Sequence, residues 1–149
     1  MTAKQELDSF LAKYSQEIEK LTRAAFSWMR KKFPAAAVIV YDNYNALVIG
    51  FGTSGTTSDA VFSLAAYPRW INLFFLRGAT LPDPKKILQG NGKQVRSITI
   101  RKMNDLTHAS VIVLIDAEAR RSGLTKITGP PGKIVIKSIS AKQRPRKPK

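Results

Sequence analysis

The side chains that carry most enzymatic and metal chemistry are scarce in this chain. Its 149 residues include no Cys and a single His, His108. The absence of Cys excludes disulfides, thiol nucleophiles, thiolate zinc sites and cysteine-bound iron–sulfur clusters. No carboxylate pair is marked by its spacing as acid and base, and no nucleophile is marked near His108. We therefore expect a structural role for His108, no catalytic residues, no metal ligands and no cofactor.

Lys and Arg dominate the charged residues and indicate an anionic partner. The chain has 25 of them against 10 Asp and Glu, which gives a formal net charge of +15. Residues 69–149 hold 18 of the 25 and only four acids, so they carry +14 of that charge. Lys and Arg bind phosphates regardless of sequence by releasing counterions, and the Arg guanidinium matches phosphate geometry. A solvated surface that confers solubility is the alternative.

We predict that a polyanion, either nucleic acid or an acidic protein, binds the basic C-terminal half. The candidate anion-binding residues are Arg69, Arg77, Lys93, Arg96, Arg101, Lys102, Lys142, Arg144, Arg146, Lys147 and Lys149.

Aromatic residues close to these cations suggest a second kind of site. Tyr44, Trp70 and Asn72 are candidates for lining a small-ligand pocket, and the aromatic rings of Tyr44, Tyr67, Trp70 and Phe74 are also suited to stacking on bases. Packing within the core is the alternative for aromatic residues in strands.

Two glycine-rich stretches resemble phosphate-binding loops only superficially. The stretch GFGTSG at 50–55 has no Lys at the P-loop spacing and joins two predicted strands. In GPPGK at 129–133, the prolines remove two of the amide donors that such a loop needs. We interpret both as connections.

A long helix is predicted to come first. Apolar residues recur at steps of three and four from residue 7 to residue 29, which predicts one amphipathic helix over about 3–32. Thr2 and Gln5 have the spacing of a capping box, and Pro34 disfavours helical geometry at Phe33.

The chain beyond Pro34 changes to short β-rich runs. Four strands are predicted at 37–41, 46–51, 60–67 and 70–76, and a fifth at 95–102, where Ile98 and Ile100 alternate with polar residues. The two-residue connection at Pro68-Arg69 favours antiparallel neighbours. A second helix is predicted from Asn104 or Asp105 to Arg121, before Gly123.

This order of elements predicts an α+β fold. We expect an antiparallel sheet of about five strands, with the long N-terminal helix and the second helix packed on one face. Residues 1–140 are predicted to form a single domain and residues 141–149, rich in Lys, Arg and Pro, a flexible basic tail. No run is apolar enough to cross a bilayer and the N-terminus has no apolar leader core, so we expect a cytoplasmic protein without a membrane partner.

Four segments resemble the YdhG-like family of bacterial domains of unknown function. They are YNALVIGF at 44–51, YPRWINLFFLRGA at 67–79, LPDP at 81–84 and LQGNGKQVR at 88–96, and the resemblance extends over about residues 5–120. It implies a frataxin-like α+β sandwich. Because one branch of the family is described as iron chaperones, it also implies intracellular iron delivery as the alternative to polyanion binding. No ligand motif matches by position, so no metal residue is transferred.

Overall fold

The computed structural model describes residues 1–149 and confirms an α+β fold. Its helices are α1 (Ala3–Leu11), α2 (Gln16–Lys32), α3 (Met103–Thr107) and α4 (Ala109–Ser122). Its strands are β1 (Ala37–Asp42), β2 (Leu47–Gly52), β3 (Ala60–Ala66), β4 (Ile71–Phe75), β5 (Arg96–Ile100) and β6 (Ile134–Ile139).

The predicted long N-terminal helix is in fact two helices. The capping box at Thr2 and Gln5 is present, but α1 ends at Leu11 and α2 begins after Ser15, whose Oγ accepts the backbone N–H of Ile18. Tyr14 lies in the break and is 2% exposed. Its hydroxyl donates to the carbonyl of Ala66 at 2.7 Å and accepts the N–H of Leu47 at 3.0 Å, which ties the break to the sheet.

The sheet has six strands, one more than predicted, in the order β5-β4-β3-β2-β1-β6. Strands β1 to β5 form an antiparallel meander, whereas β6 pairs with β1 in parallel. The chain reaches this edge through Gly132, whose N–H donates to the carbonyl of Pro34. A Cβ at Gly132 would lie 1.8 Å from the carbonyl oxygen of Ala36, so this close approach requires glycine.

The helices cover one face of the sheet, as predicted. Phe26 of α2 packs on Phe51 with 6.0 Å between ring centroids, and Phe33 stacks on Phe62 at 5.8 Å. Leu114 of α4 belongs to the same buried cluster of 30 residues. The residues that alternate with these on the strands point to the opposite face, which no helix covers.

The predicted second helix is also interrupted. It divides at His108 into α3 and α4, and the Nδ1 of His108 accepts the backbone N–H of Ser110 at 3.2 Å. The side chain therefore caps α4, which fits the structural role expected for it. The helix ends as predicted at Gly123, which adopts the left-handed conformation with φ of 83°.

Residues 141–149, predicted as a flexible tail, instead pack against the turn between β1 and β2. Arg146 is 5% exposed, and its guanidinium donates to Asp42 Oδ1 at 2.9 Å and to the carbonyls of Asn43 and Tyr44. Asp42 also accepts a hydrogen bond from Lys13 Nζ at 2.6 Å. Because a buried carboxylate needs a cationic partner, Asp42 fixes the segment in place.

The two hydrogen bonds of the Tyr14 hydroxyl should contribute measurably to the stability of the fold. Tyr14→Phe should lower the free energy of unfolding by about 1–3 kcal/mol, because two buried backbone groups lose their partner. Tyr44→Phe is the matched control, since Tyr44 is 47% exposed, and it should change the value by less than about 0.5 kcal/mol. Urea denaturation measures both, and equal effects would contradict the role of Tyr14.

Removal of one partner from the buried pair of Asp42 and Arg146 should lower stability far more than removal of one partner from a surface pair. Asp42→Asn should cost about 3–5 kcal/mol of unfolding free energy, because it leaves the Arg146 guanidinium buried without its counterion. The control Asp116→Asn removes the more exposed pair with Lys32 and should cost about 1 kcal/mol or less. Adding Arg146→Met to Asp42→Asn should recover part of the loss, and no recovery would show that the two charges are not coupled.

Protonation of Asp42 at low pH should also lower the free energy of unfolding. Burial alone would raise the pKa of Asp42, but the hydrogen bonds from its partners, led by Lys13, hold the pKa below its ordinary value. The stabilisation from the ionised form is thus complete above the unfolded-state pKa of about 3.9 and is lost as the pH falls through the lower folded-state pKa. Urea midpoints between pH 5 and pH 2 should fall less steeply in Asp42→Asn, and identical slopes would contradict this assignment.

Candidate polyanion-binding site

Two hairpin turns and the C-terminal segment meet at one end of the sheet. Leu47 pairs with Ala66, so the turn between β1 and β2 lies beside the turn between β3 and β4. The backbone N–H of Arg144 donates to the carbonyl of Tyr44 at 2.9 Å, which lays the C-terminal segment along the first turn. An open cleft of about 590 Å³ lies between the segment and the second turn.

The lining of this cleft, which we call the cationic cleft, contains four cations and no acidic side chain. Its residues come from both turns and from the C-terminal segment: Asn45, Tyr67, Pro68, Arg69, Arg144, Pro145, Lys147, Pro148 and Lys149. The three prolines fix φ at their positions, which limits the freedom of both walls. Such a site concentrates positive potential over a short distance.

Arg146 divides the cations of the C-terminal segment into two roles. Its own side chain points inward to Asp42, while Arg144 and Lys147 on either side of it are exposed and line the cleft. The buried guanidinium is therefore an anchor and is not available to an anion. This separation of roles cannot be recognised in the run RPRKPK, where all the cations look equivalent.

The structure distributes the other predicted anion-binding residues between the two ends of the sheet. Arg101 and Lys102 follow β5 at the end that carries the cleft, and the Arg101 guanidinium lies 5.4 Å from the ring centroid of Trp70. Lys142 is exposed but does not line the cleft.

Arg77, Lys93 and Arg96 lie at the opposite end of the sheet. Arg96 pairs with Phe75 at the far end of β4, roughly 17 Å from Arg101 at about 3.4 Å per residue. The guanidinium of Arg96 donates to the carbonyls of Gly92 and Val95, and that of Arg77 donates to Ser58. These side chains do not form one surface with the cationic cleft.

The structure does not place Tyr44, Trp70 or Asn72 in the lining of any of its five main cavities. None of the three lines the cationic cleft, where Asn45 and Tyr67 stand instead. Tyr44 lies on the exposed turn, while Trp70 and Asn72 belong to the uncovered face of the sheet. Asn72 Oδ1 is buried there and has no hydrogen-bond partner.

Tyr67 contributes a phenol hydroxyl to the lining of the cleft. Burial raises the pKa of its phenol above the ordinary value. The hydroxyl therefore stays protonated at neutral pH and remains available as a hydrogen-bond donor to an anionic oxygen. Its position was accessible to sequence reasoning, because it directly precedes the Pro68-Arg69 turn.

The acidic side chains are not arranged to hold a metal ion. No group of three or more His, Asp and Glu side chains is close enough to do so. On the first two helices, hydrogen bonds from Arg23 and then Lys4 hold the pKa of Asp8 below its ordinary value, and Glu19 is also paired with Arg23. These acids are thus engaged in ion pairs.

Comparison with known proteins identifies no relative whose function could be transferred to this chain. The chain matches no protein-family model, no curated protein and no solved structure. None of its helices combines the length and the apolar character needed to span a membrane.

Proposed function

We propose that this protein binds a phosphate-bearing polyanion through the cationic cleft and does so without catalysing a reaction. The observation that carries the proposal is that Arg69, Arg144, Lys147 and Lys149, from two distant parts of the chain, line one open cleft without an acidic side chain.

The chemistry of the cleft favours phosphate over isolated carboxylates. Arg69 and Arg144 offer planar donors that match two phosphate oxygens at once, while Lys147 and Lys149 add point charges. A polymer of phosphates binds with additional affinity, because each phosphate charge that the protein neutralises releases a condensed counterion. Four such contacts would give a slope of about −3 to −4 in log affinity against log salt concentration.

We also propose that the fold is a frataxin-like sandwich and that the chain is a divergent relative of the YdhG-like family. The support is the order of elements, with helices first, then an antiparallel meander, then a helix, and the position of the resembling segments on β2, β4 and the connection to β5. We do not propose iron delivery, because no observation of the acidic residues favours it.

Deletion of residues 141–149 would not be a clean test of this function. It would remove the anchor Arg146 together with the cleft cations, so loss of folding and loss of binding would coincide. Substitutions that leave Arg146 in place separate the two effects.

A charge-matched pair of double variants provides the test. Arg69→Gln/Lys147→Gln should weaken binding of linear inorganic polyphosphate and reduce the salt slope by about 1.4–1.8, because two phosphate contacts are lost. Lys93→Gln/Arg120→Gln removes the same charge from exposed positions outside the cleft and should leave the slope nearly unchanged. Isothermal titration calorimetry at several salt concentrations between about 50 and 200 mM measures the affinity and the salt slope of both variants. Equal losses in the two variants, or affinity without salt dependence, would overturn the proposal.

A further inference from the structure

The face of the sheet that no helix covers carries an aromatic row beside the cationic cleft. Tyr67 and Trp70 pair across the turn between β3 and β4 through the N–H of Tyr67 and the carbonyl of Trp70. Both alternate with buried neighbours, Ala66 and Ile71, that face the helices, so their rings point to the uncovered face. Both rings are partly exposed.

The aromatic row formed by Tyr67 and Trp70 meets Arg101 at one end and the cationic cleft at the other. The Tyr67 and Trp70 ring centroids are 5.9 Å apart with 32° between the planes, and the Arg101 guanidinium lies 5.4 Å from the Trp70 centroid. Tyr67 also lines the cationic cleft. A ligand that occupies the cleft therefore meets the aromatic row without leaving the surface of the protein.

The rest of the uncovered face carries no charged side chain along β3 and β4. Ala65 and Ser63, in the centre of β3, are buried, while the partly exposed Phe74 lies on β4 two residues beyond Asn72. No Asp or Glu occupies a strand position that points to this face. The face therefore offers no carboxylate that would repel a nucleic acid.

We infer that the polyanion is single-stranded nucleic acid, with phosphates in the cationic cleft and unpaired bases stacked on Tyr67 and Trp70. This inference rests on the proposed function and adds the class of ligand. A positive groove for the backbone beside aromatic rings for the bases is the arrangement that binds single strands, since every base has a flat face to stack. A duplex would meet only the cations, because its bases already stack on each other, and an acidic protein would leave the aromatic row without a role.

Trp70 provides a direct spectroscopic test. The chain has only two Trp residues, so Trp28→Phe leaves Trp70 as the sole tryptophan. Titration of this variant with a single-stranded oligothymidine should quench the Trp70 emission as bases stack on the ring. Inorganic polyphosphate, which has no bases, should bind with little quenching, and a duplex of equal length should also give little quenching.

Substitutions at Trp70 give the corresponding affinity test. Trp70→Ala should weaken binding of the oligothymidine by about 5-fold to 150-fold and leave binding of polyphosphate nearly unchanged, because only the stacking contribution is lost. Trp70→Phe should restore part of the affinity, since a smaller ring still stacks. Circular dichroism and urea denaturation verify that each variant is folded.

The probes distinguish failure of this inference from failure of the proposed function. If polyphosphate binds at the cleft but the oligothymidine neither quenches Trp70 nor responds to Trp70→Ala, the inference is wrong and the polyanion-binding function stands. Tighter binding of polyglutamate or duplex than of the oligothymidine would also overturn the inference. If none of these polyanions binds, the proposed function itself is wrong.

Discussion

The ion pair between Asp42 and Arg146 holds together the parts of the molecule from which the proposed site is built. Asp42 ends β1, Arg146 lies near the C-terminus, and Lys13 reaches the same carboxylate from the break between α1 and α2. A carboxylate buried at this position is tolerable only with such partners, because desolvation of an unpaired charge costs several kcal/mol. The pair thereby converts a basic C-terminal segment into one wall of a cleft.

The same interaction explains why positive charge is concentrated at one end of the sheet. With Arg146 directed inward, the cations on either side of it are turned outward, opposite the turn that carries Arg69. Repulsion among these cations opposes their assembly, and the buried pair offsets that cost. A site that stores unfavourable charge in this way gains affinity when an anion neutralises it.

The parts of the fold governed by local pattern were predictable from the sequence. The alternation at Ile98 and Ile100, the capping box at Thr2 and the glycine after α4 correspond to elements or ends that the structure contains. The break at Tyr14 was missed because this buried aromatic continues the apolar stripe of a helix. The helix is interrupted where the Tyr14 hydroxyl forms two hydrogen bonds to the sheet. These long-range bonds cannot be recognised from the spacing of apolar residues. β6 was missed because its partner β1 lies almost one hundred positions earlier in the chain.

The candidate site was predictable in its residue types and not in its assembly. The abundance of Lys and Arg indicated an anion, but only strand register separates Arg69 and Arg101 from Arg77 and Arg96 at the far end of the sheet. The most direct measurement of the central claim is a map of backbone amide chemical shifts during titration with a single-stranded oligonucleotide. We expect the largest shifts at residues 67, 69, 70, 101, 144, 146, 147 and 149, which are the residues of these segments that have a backbone amide N–H. Shifts centred on residues 77 and 93–96, or spread evenly over all exposed cations, would contradict it.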